Sequence, residues 1–224
     1  MEFIEAVDGH LFNENEIKQH TRPLNYAFLK GEVGCALSHQ KIYKKMIADN
    51  IDQAVIFEDD ISLPDNIADI IEHIKIDNKK SSIVLLSRVN RFRTKPLKTI
   101  TQNYKLHKMH QATTAHAYII NKKTAQNMLD FMYPVWMVAD KWDFFEDHSI
   151  ANIDCIIPAP VVLNDFSLSS TINIDNESNT IHKKKKEIWG KIIKKRPLLA
   201  KIKHRYRRAI VPLFSSITVQ KKGA

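Results

Sequence analysis

The sequence predicts an α/β fold in which helices flank a mixed, mainly parallel sheet. Three short apolar runs are typical of buried strands, and they alternate along the chain with segments of helical spacing. The chain of 224 residues is long enough for one domain with a substantial core. In parallel sheets of this class, ligands bind beyond the carboxyl ends of the strands. We therefore expect the functional residues to lie at those ends.

The first elements can be assigned in order from the start of the chain. Residues 3–7 form a strand-like run that leads into a turn at Asp8-Gly9. Residues 31–50 carry apolar side chains at helical spacing, which predicts an amphipathic helix. Residues 53–57 form a continuous apolar run, which indicates a strand that is covered on both faces.

The alternation continues in the middle of the chain. Asp65 is a candidate N-cap for a helix whose isoleucines fall at positions 67, 70, 71 and 74. The pattern then predicts strands at residues 82–87 and 115–120 and a helix at residues 123–131. Two segments stay open: residues 88–110, which fit a hairpin or a mobile loop, and residues 164–180, which are rich in Ser, Thr and Asn.

Several protein classes are disfavoured by composition and missing motifs. No stretch approaches the roughly 20 apolar residues that span a bilayer, and the first residues lack the features of a signal peptide. We therefore expect a cytoplasmic location. The sequence has no GxGxxG, P-loop, GxSxG or HExxH motif. Cys35 and Cys155 lack the spacing of a zinc or redox pair and are expected to be buried thiols.

Three consecutive acids, Glu58-Asp59-Asp60, directly follow the strand predicted at residues 53–57. Carboxylates at such a position cost several kcal/mol unless they are paired, solvated or bound to a cation. Carboxylate oxygens suit Mn²⁺ or Mg²⁺, and a nucleotide diphosphate can complete the coordination of the metal. The alternative is a solvated loop or a set of helix-capping acids.

The order of several segments resembles glycosyltransferase family 25, which contains the lipooligosaccharide galactosyltransferases of Gram-negative pathogens. The matching segments are residues 31–39 followed by a helix and the acidic triplet, "AVDG" at residues 6–9, "AYxI" at residues 117–120, a "VDxW"-type segment at residues 138–142, Pro158-Ala159-Pro160 and the basic tail. The resemblance covers nearly the whole chain.

This resemblance implies a GT-A-like (Rossmann-like) fold, a UDP-sugar donor such as UDP-galactose, a divalent metal and transfer with inversion onto a growing glycan. The acidic triplet matches the family's DxD-like position, where Asp60 would bind the metal and Glu58 or Asp59 the ribose or sugar of the donor. Ser38 and His39 lie on the helix that the family places against the donor site, although helix capping or a satisfied histidine would also explain them.

Two further roles concern a phosphate contact and the catalytic base. Arg88 follows a predicted strand and suits bidentate recognition of phosphate, with a solvated surface position as the alternative. Inversion requires a carboxylate that takes the proton of the acceptor hydroxyl. Asp140 is our candidate, next to Trp142, whose ring could stack on a sugar. A helix cap is the alternative role for Asp140, and Asp143, Glu146 and Asp147 stay open as rival bases.

One departure from the family bears on activity. Family members usually begin with a strand and helix of the form "xxVISLxxxxxR" at the edge of the nucleotide pocket, and this chain begins after that segment. The uracil end of the donor site is therefore expected to be incomplete. A catalytically silent relative that binds membrane or glycan without turnover is the alternative to an active hexosyltransferase.

The charge of the chain is divided into two parts. Residues 183–224 hold fifteen of the 34 lysines and arginines and one acid, Glu187, so they carry +14 while residues 1–182 carry −5. Apolar residues between these cations indicate a helix that lies on an anionic bilayer. We therefore expect residues 1–182 to form the catalytic domain and residues 183–224 to attach the enzyme to the cytoplasmic face of the inner membrane, beside its lipooligosaccharide acceptor. A solvated tail is the alternative, and no nucleic acid is expected as a partner.

Overall fold

A seven-stranded sheet flanked by helices forms the centre of the protein in the computed structural model, which describes residues 1–164 and 179–220. The α/β class expected from the sequence is confirmed. The Ser-, Thr- and Asn-rich segment at 164–180 lies, apart from its ends, outside the described residues. Within the described residues, no helix combines the length and the apolar character needed to cross a bilayer.

The strands and helices have the following bounds. The strands are β1 (Gln53–Phe57), β2 (Ile61–Ser62), β3 (Ser82–Leu85), β4 (Arg91–Thr99), β5 (Lys105–Gln111), β6 (Ala117–Asn121), β7 (Asn152–Ile157), β8 (Val162–Leu163) and β9 (Ile217–Val219). The helices are α1 (Glu14–His20), α2 (Lys30–Ala48), α3 (Ile67–His73), α4 (Lys122–Met132), α5 (Trp142–Asp147), α6 (Asn179–Lys195), α7 (Leu198–Arg205) and α8 (Val211–Phe214), with a π-helical segment, Tyr206–Ile210, between α7 and α8. The elements predicted at residues 31–50, 53–57, 67–74, 82–87, 115–120 and 123–131 are all present, and residues 88–110 form a hairpin.

The prediction of a mainly parallel sheet is wrong. The strand order is β1-β6-β3-β7-β5-β4-β9, and only β3 and β7 pair in parallel among the described strands. Strand β6 lies between β1 and β3 and runs opposite to both, and the short connection between β4 and β5 makes them an antiparallel hairpin. Because β1, β3 and β7 still point the same way, their carboxyl ends meet at one edge of the sheet. The first residues of β6 lie at that same edge.

Helices cover both faces of the sheet. The alternation of side chains along β3 and β6 places Ile83 and Ile120 in one apolar cluster and Val84 and Ile119 in another. The first cluster also takes residues of α2, α4 and α5, and the second takes residues of α3. Cys155 is a fully buried thiol in the first cluster, as expected, whereas Cys35 is only partly buried.

The strand predicted at residues 3–7 is absent, because the backbone of this segment bonds to side chains of α2 instead of to a neighbouring strand. The Val7 N–H donates to Ser38 Oγ at 2.8 Å, and the Lys41 ammonium donates to the carbonyl of Glu5. The backbone of Gly9 lies against Gly34, where an added Cβ would come within 2.6 Å of the Gly9 nitrogen. The segment is therefore fixed on α2, close to the helix residues that face the site.

The basic tail is packed on the rest of the protein. The boundary predicted between residues 182 and 183 falls within α6, whose Ile192 is 4% exposed and belongs to the main apolar cluster. Further on, β9 pairs with β4 and extends the sheet. Asp147 on α5, 2% exposed, accepts two hydrogen bonds from Arg207, at 3.0 and 2.8 Å. At least part of the tail is thus built into the fold.

Candidate active site

Glu58 lies at the carboxyl end of β1, between two histidines from different elements. Its N–H donates to the carbonyl of His116, which directly precedes β6, at 2.8 Å. His116 Nδ1 donates to Glu58 Oε2 at 2.7 Å, and His39 Nε2, from α2, donates to Glu58 Oε1 at 3.2 Å. Both carboxylate oxygens are therefore held in place, while the side chain of Glu58 is still 26% exposed.

The electrostatics of these three groups favour charge on each of them. Burial by itself would raise the pKa of Glu58, but hydrogen bonds from His116 and His39 outweigh it and lower the pKa to about 2. Burial would lower the pKa of His39, but its hydrogen bonds to Cys35 and Glu58 raise it to about 10. The pKa of His116 is raised in the same way by Glu58 and by the nearby charge of Asp60.

A chain of buried hydroxyl groups fixes the His39 ring. Its Nδ1 lies 2.8 Å from the hydroxyl of Tyr118 on β6, which lies 2.7 Å from the hydroxyl of Tyr43 on α2. Both tyrosines are fully buried, and burial raises their pKa values, so the hydroxyls stay protonated. Ser38 and His39 were both predicted to lie beside the donor, and the structure brings His39 to the acidic triplet.

Glu58, Asp60 and His116 form a set of ligand atoms suited to a divalent metal. Their oxygen and nitrogen atoms all lie within 4.8 Å of one another, and His116 Nδ1 is 3.5 Å from Asp60 Oδ1. Asp60 Oδ1 is buried and has no hydrogen-bond partner in the part of the chain that the structure describes. A buried carboxylate oxygen without a hydrogen bond is costly unless a cation lies beside it, as a protonated His116 ring or a bound metal ion would. Two carboxylates and one imidazole that has given up its proton are donors that a first-row divalent ion accepts.

Asp140 belongs to the same site. Burial raises its pKa to about 6, Lys141 lowers it, and the charges of Glu58 and Glu32 raise it further. Asp140 in turn raises the pKa of His116. The helix-cap alternative is not supported, because the N-cap position of α5 is Lys141 and that residue makes no side-chain cap hydrogen bond. The result is a carboxyl group with a pKa raised to about 6, within electrostatic range of the metal-ligand set.

The three rival bases have other partners. Asp143 and Asp147 pair with Arg207 of the tail, at 3.2 and 2.8 Å. Glu146 pairs with Lys108 of β5 at 2.6 Å and also accepts from the N–H of a β7 residue. Each of these carboxylates holds α5 against a neighbouring element, so Asp140 is left as the candidate base.

The other predicted residues lie elsewhere or have other partners. Ser38 lies within α2, where its hydroxyl accepts from Val7 and donates to the Gly34 carbonyl, so it is not an N-cap. Asp59 is exposed. The guanidinium of Arg88 donates to the carbonyl of Gln220, just beyond β9, at 3.0 Å. Trp142 is fully buried, so the sugar stacking that we expected of it is wrong.

Sequence reasoning missed His116, Tyr118 and Cys35 as members of the site. Cys35, His39 and Glu58 form a second set of ligand atoms within 4.8 Å, which shares the Glu58 carboxylate. The available signal was a histidine one residue ahead of a buried strand. It pointed to the site only once β6 was known to run antiparallel to β1, because that direction brings its amino end to the triplet.

Comparisons of the sequence with known proteins relate the chain to one family. A sequence model described as glycosyltransferase family 25 (LPS biosynthesis protein) matches residues 1–142, which include Glu58, Asp60, His116 and Asp140. A mouse protein named inactive glycosyltransferase 25 family member 3 is 32% identical over 83 residues, or 33% of this chain and 14% of the mouse protein. A mosquito (Aedes aegypti) protein named glycosyltransferase 25 family member is 34% identical over 74 residues, or 27% of this chain and 12% of its own length. The match thus spans about a seventh of the length of these relatives.

Proposed function

The chain belongs to glycosyltransferase family 25, and from that premise we propose that it is an inverting, metal-dependent hexosyltransferase. It would move a hexose, with galactose as the expected sugar, from a UDP-sugar to a growing lipooligosaccharide or lipopolysaccharide glycan. The observation that carries the proposal is the juxtaposition of Asp140 with the Glu58, Asp60 and His116 set. A poised base beside a metal-ligand set is what a single displacement requires.

The residues would divide the work as follows. The Asp140 carboxylate takes the proton of the acceptor hydroxyl while the oxygen of that hydroxyl bonds to the anomeric carbon from the side opposite the diphosphate. The bond between the anomeric carbon and the diphosphate breaks in the same step, and UDP leaves. His39 holds the Glu58 carboxylate in one orientation. Asp60, Glu58 and His116 would hold Mn²⁺ or Mg²⁺, whose charge offsets that of the leaving diphosphate.

Binding of UDP should depend on the metal and on Asp60. We expect calorimetric titration to show UDP binding with Mn²⁺ and none with EDTA. Asp60→Asn should weaken binding in Mn²⁺ about 10- to 100-fold, because a charge-assisted contact contributes about 1.5–3 kcal/mol. Asp65→Asn, an exposed position ahead of α3, is the matched control and should leave the affinity unchanged. Equal UDP affinity in Mn²⁺ and EDTA would contradict the metal site.

A second candidate function is a silent relative that binds donor or glycan without turnover. The specific observation in its favour is the word "inactive" in the name of the mouse relative. Metal-dependent hydrolysis of UDP-galactose separates the two candidates, since hydrolysis requires the reaction centre and binding does not. Tight UDP binding with no hydrolysis and no transfer would favour the silent relative.

We also propose that the tail attaches the enzyme peripherally to the cytoplasmic face of the inner membrane. Ile188, Trp189 and Ile192 of α6 pack on the core and are not available for lipid. The support comes from α7 and α8, where Leu198, Leu199, Ile202, Leu213 and Phe214 are 53–82% exposed. Lysines and arginines lie between them in the sequence, which suits an anionic bilayer surface.

Loss of this apolar surface should release the protein from lipid. In vesicle flotation, we expect binding to vesicles that contain phosphatidylglycerol, weaker binding to pure phosphatidylcholine, and a decrease with salt. The double variant Leu213→Ser and Phe214→Ser should bind at least about 30-fold less, since each exposed apolar side chain contributes about 1–3 kcal/mol when buried in lipid. The control is Phe3→Ser, at an exposed position near the start of the sequence and outside the tail. Unchanged flotation of the double variant would contradict the assignment of this surface.

A further inference from the structure

A cleft of about 390 Å³ lies between α6 and the start of α5, and Lys141, the residue after Asp140, is part of its lining. Its lining includes two aromatic rings, three lysines and one carboxylate: Tyr26, Trp189, Lys141, Lys185, Lys186 and Asp143. The carboxylate of Asp143 pairs with Arg207. The cleft is therefore cationic and aromatic, which differs from the acidic character of the metal-ligand set.

The rings and the cations are arranged together. The Tyr26 and Trp189 rings lie 5.3 Å apart at an interplanar angle of 61°, and both are partly exposed. Lys141 Nζ lies 5.3 Å from the centre of the Tyr26 ring and 5.7 Å from that of Trp189. Aromatic faces bind the apolar faces of sugar rings, and lysine ammonium groups bind carboxylates or phosphates. These two kinds of group in one cleft fit a sugar that carries a negative charge.

The position of the cleft relates it to the reaction centre. Lys141 directly follows Asp140. Lys185, at the wall of the cleft, forms an ion pair with Glu32, whose side chain is 11% exposed and acts electrostatically on Asp140. Asp140 also interacts with Glu58 of the metal-ligand set. The candidate base is therefore next in sequence to a residue of the cleft and within electrostatic range of the metal-ligand set. A group that takes a proton from one substrate while another is bound needs a position of this kind.

We propose that this cleft binds the acceptor, and that the part it binds is an anionic sugar, a hexose-sized ring bearing a carboxylate or a phosphate. The inference rests on the proposed function, because it assigns the donor to the metal-ligand set. The sugar ring lies against Tyr26 and Trp189, and its charged group is bound by Lys141 and Lys186. The adjoining hydroxyl of the acceptor then faces Asp140.

The indole N–H signals of the tryptophans give a test that does not require turnover. The chain has three tryptophans; Trp136 and Trp142 donate their indole N–H to backbone carbonyls outside the cleft, and Trp189 lines it. With ¹⁵N-labelled full-length protein, glucuronic acid and glucose 6-phosphate should shift the Trp189 signal and leave the other two in place. Glucose should need about tenfold more sugar for the same shift, because it lacks the charge-assisted contact.

Variants and further ligands decide between the outcomes. Lys141→Gln should weaken glucuronic acid binding about tenfold, whereas Lys183→Gln, an exposed lysine of α6 that does not line the cleft, should not. A response to inorganic phosphate alone, without one to glucuronic acid, would overturn the sugar assignment. A Trp189 shift on addition of UDP and Mn²⁺, with none from the charged sugars, would assign the cleft to the donor and overturn the proposal. Because UDP binding is measured separately, failure of the proposed function can be told apart from failure of this site.

Discussion

Replacement of Asp147 by alanine should lower the free energy of unfolding by about 3–5 kcal/mol, since it removes one partner of a buried ion pair. The Asp147 side chain is 2% exposed and is the common partner of Arg207, His204 and Arg196, at 2.8, 2.9 and 3.7 Å. Without it, the nearly buried guanidinium of Arg196 loses its carboxylate, and that of Arg207 is left with Asp143 at 3.2 Å. The measurement is equilibrium unfolding in urea.

The control is a surface pair of the same chemistry. Asp49 pairs with Lys45 at 2.6 Å on the exposed side of α2, and Asp49→Ala should change stability far less. Arg207→Met tests the same contact from the tail, and the double variant should lose less stability than the sum of the two single variants. If Asp147→Ala unfolded at the same urea concentration as the wild-type protein, the packing of the tail would not depend on this residue.

The second large effect is expected at the candidate base. Asp140→Asn should lower kcat by about 100- to 10,000-fold, the range contributed by a positioned general base. UDP affinity should be unchanged, because the amide cannot take the proton but leaves the metal ligands in place. Stability should be equal or higher, since burial raises the pKa of Asp140 and therefore disfavours its charged form. Activity lost together with stability would instead indicate a structural role.

The pH dependence of the reaction follows from the same group. Because burial raises the pKa of Asp140 to about 6, the carboxylate form that acts as a base is present above this pH and is lost as the pH falls through it. We expect kcat of the wild-type enzyme to fall about tenfold per pH unit well below pH 6 and the residual activity of Asp140→Asn to lack this step. Asp143→Asn, a rival base held by Arg207, should keep the step. The opposite result would assign the base to Asp143.

The parts of the fold that could be predicted are those that depend on the pattern of neighbouring residues. Helix α2 and the strands β1 and β3 have periodicity and flanking residues that suffice on their own. The direction of β6 could not be predicted, because strand pairing depends on contacts between distant segments, and the alternation of strands and helices fits either direction. Residues 3–7 have the pattern of a strand but do not form one, because side chains of α2 bond to their backbone.

The candidate site divides in the same way. Glu58, Asp60 and Asp140 could be proposed from the resemblance and from the position of the triplet after a strand. His116 could not, because its role depends on the reversed direction of β6, which brings it within 2.7 Å of Glu58. The partners of Arg88 and Asp147 lie 132 and 60 positions away in sequence, and no local pattern reveals such pairs.

The pairing of β9 with β4 has a consequence for how the chain assembles. Arg91 pairs with Val219, so this edge of the sheet cannot form until more than a hundred further residues have left the ribosome. Contacts of such large sequence separation close slowly, because loop entropy is lost before the contacts form. During that interval Phe92, the Asp147 carboxylate and the open edge of β4 lack their final cover. The nascent chain is therefore exposed to aggregation and proteolysis until residues 217–219 have been made, and their pairing with β4 ends this period.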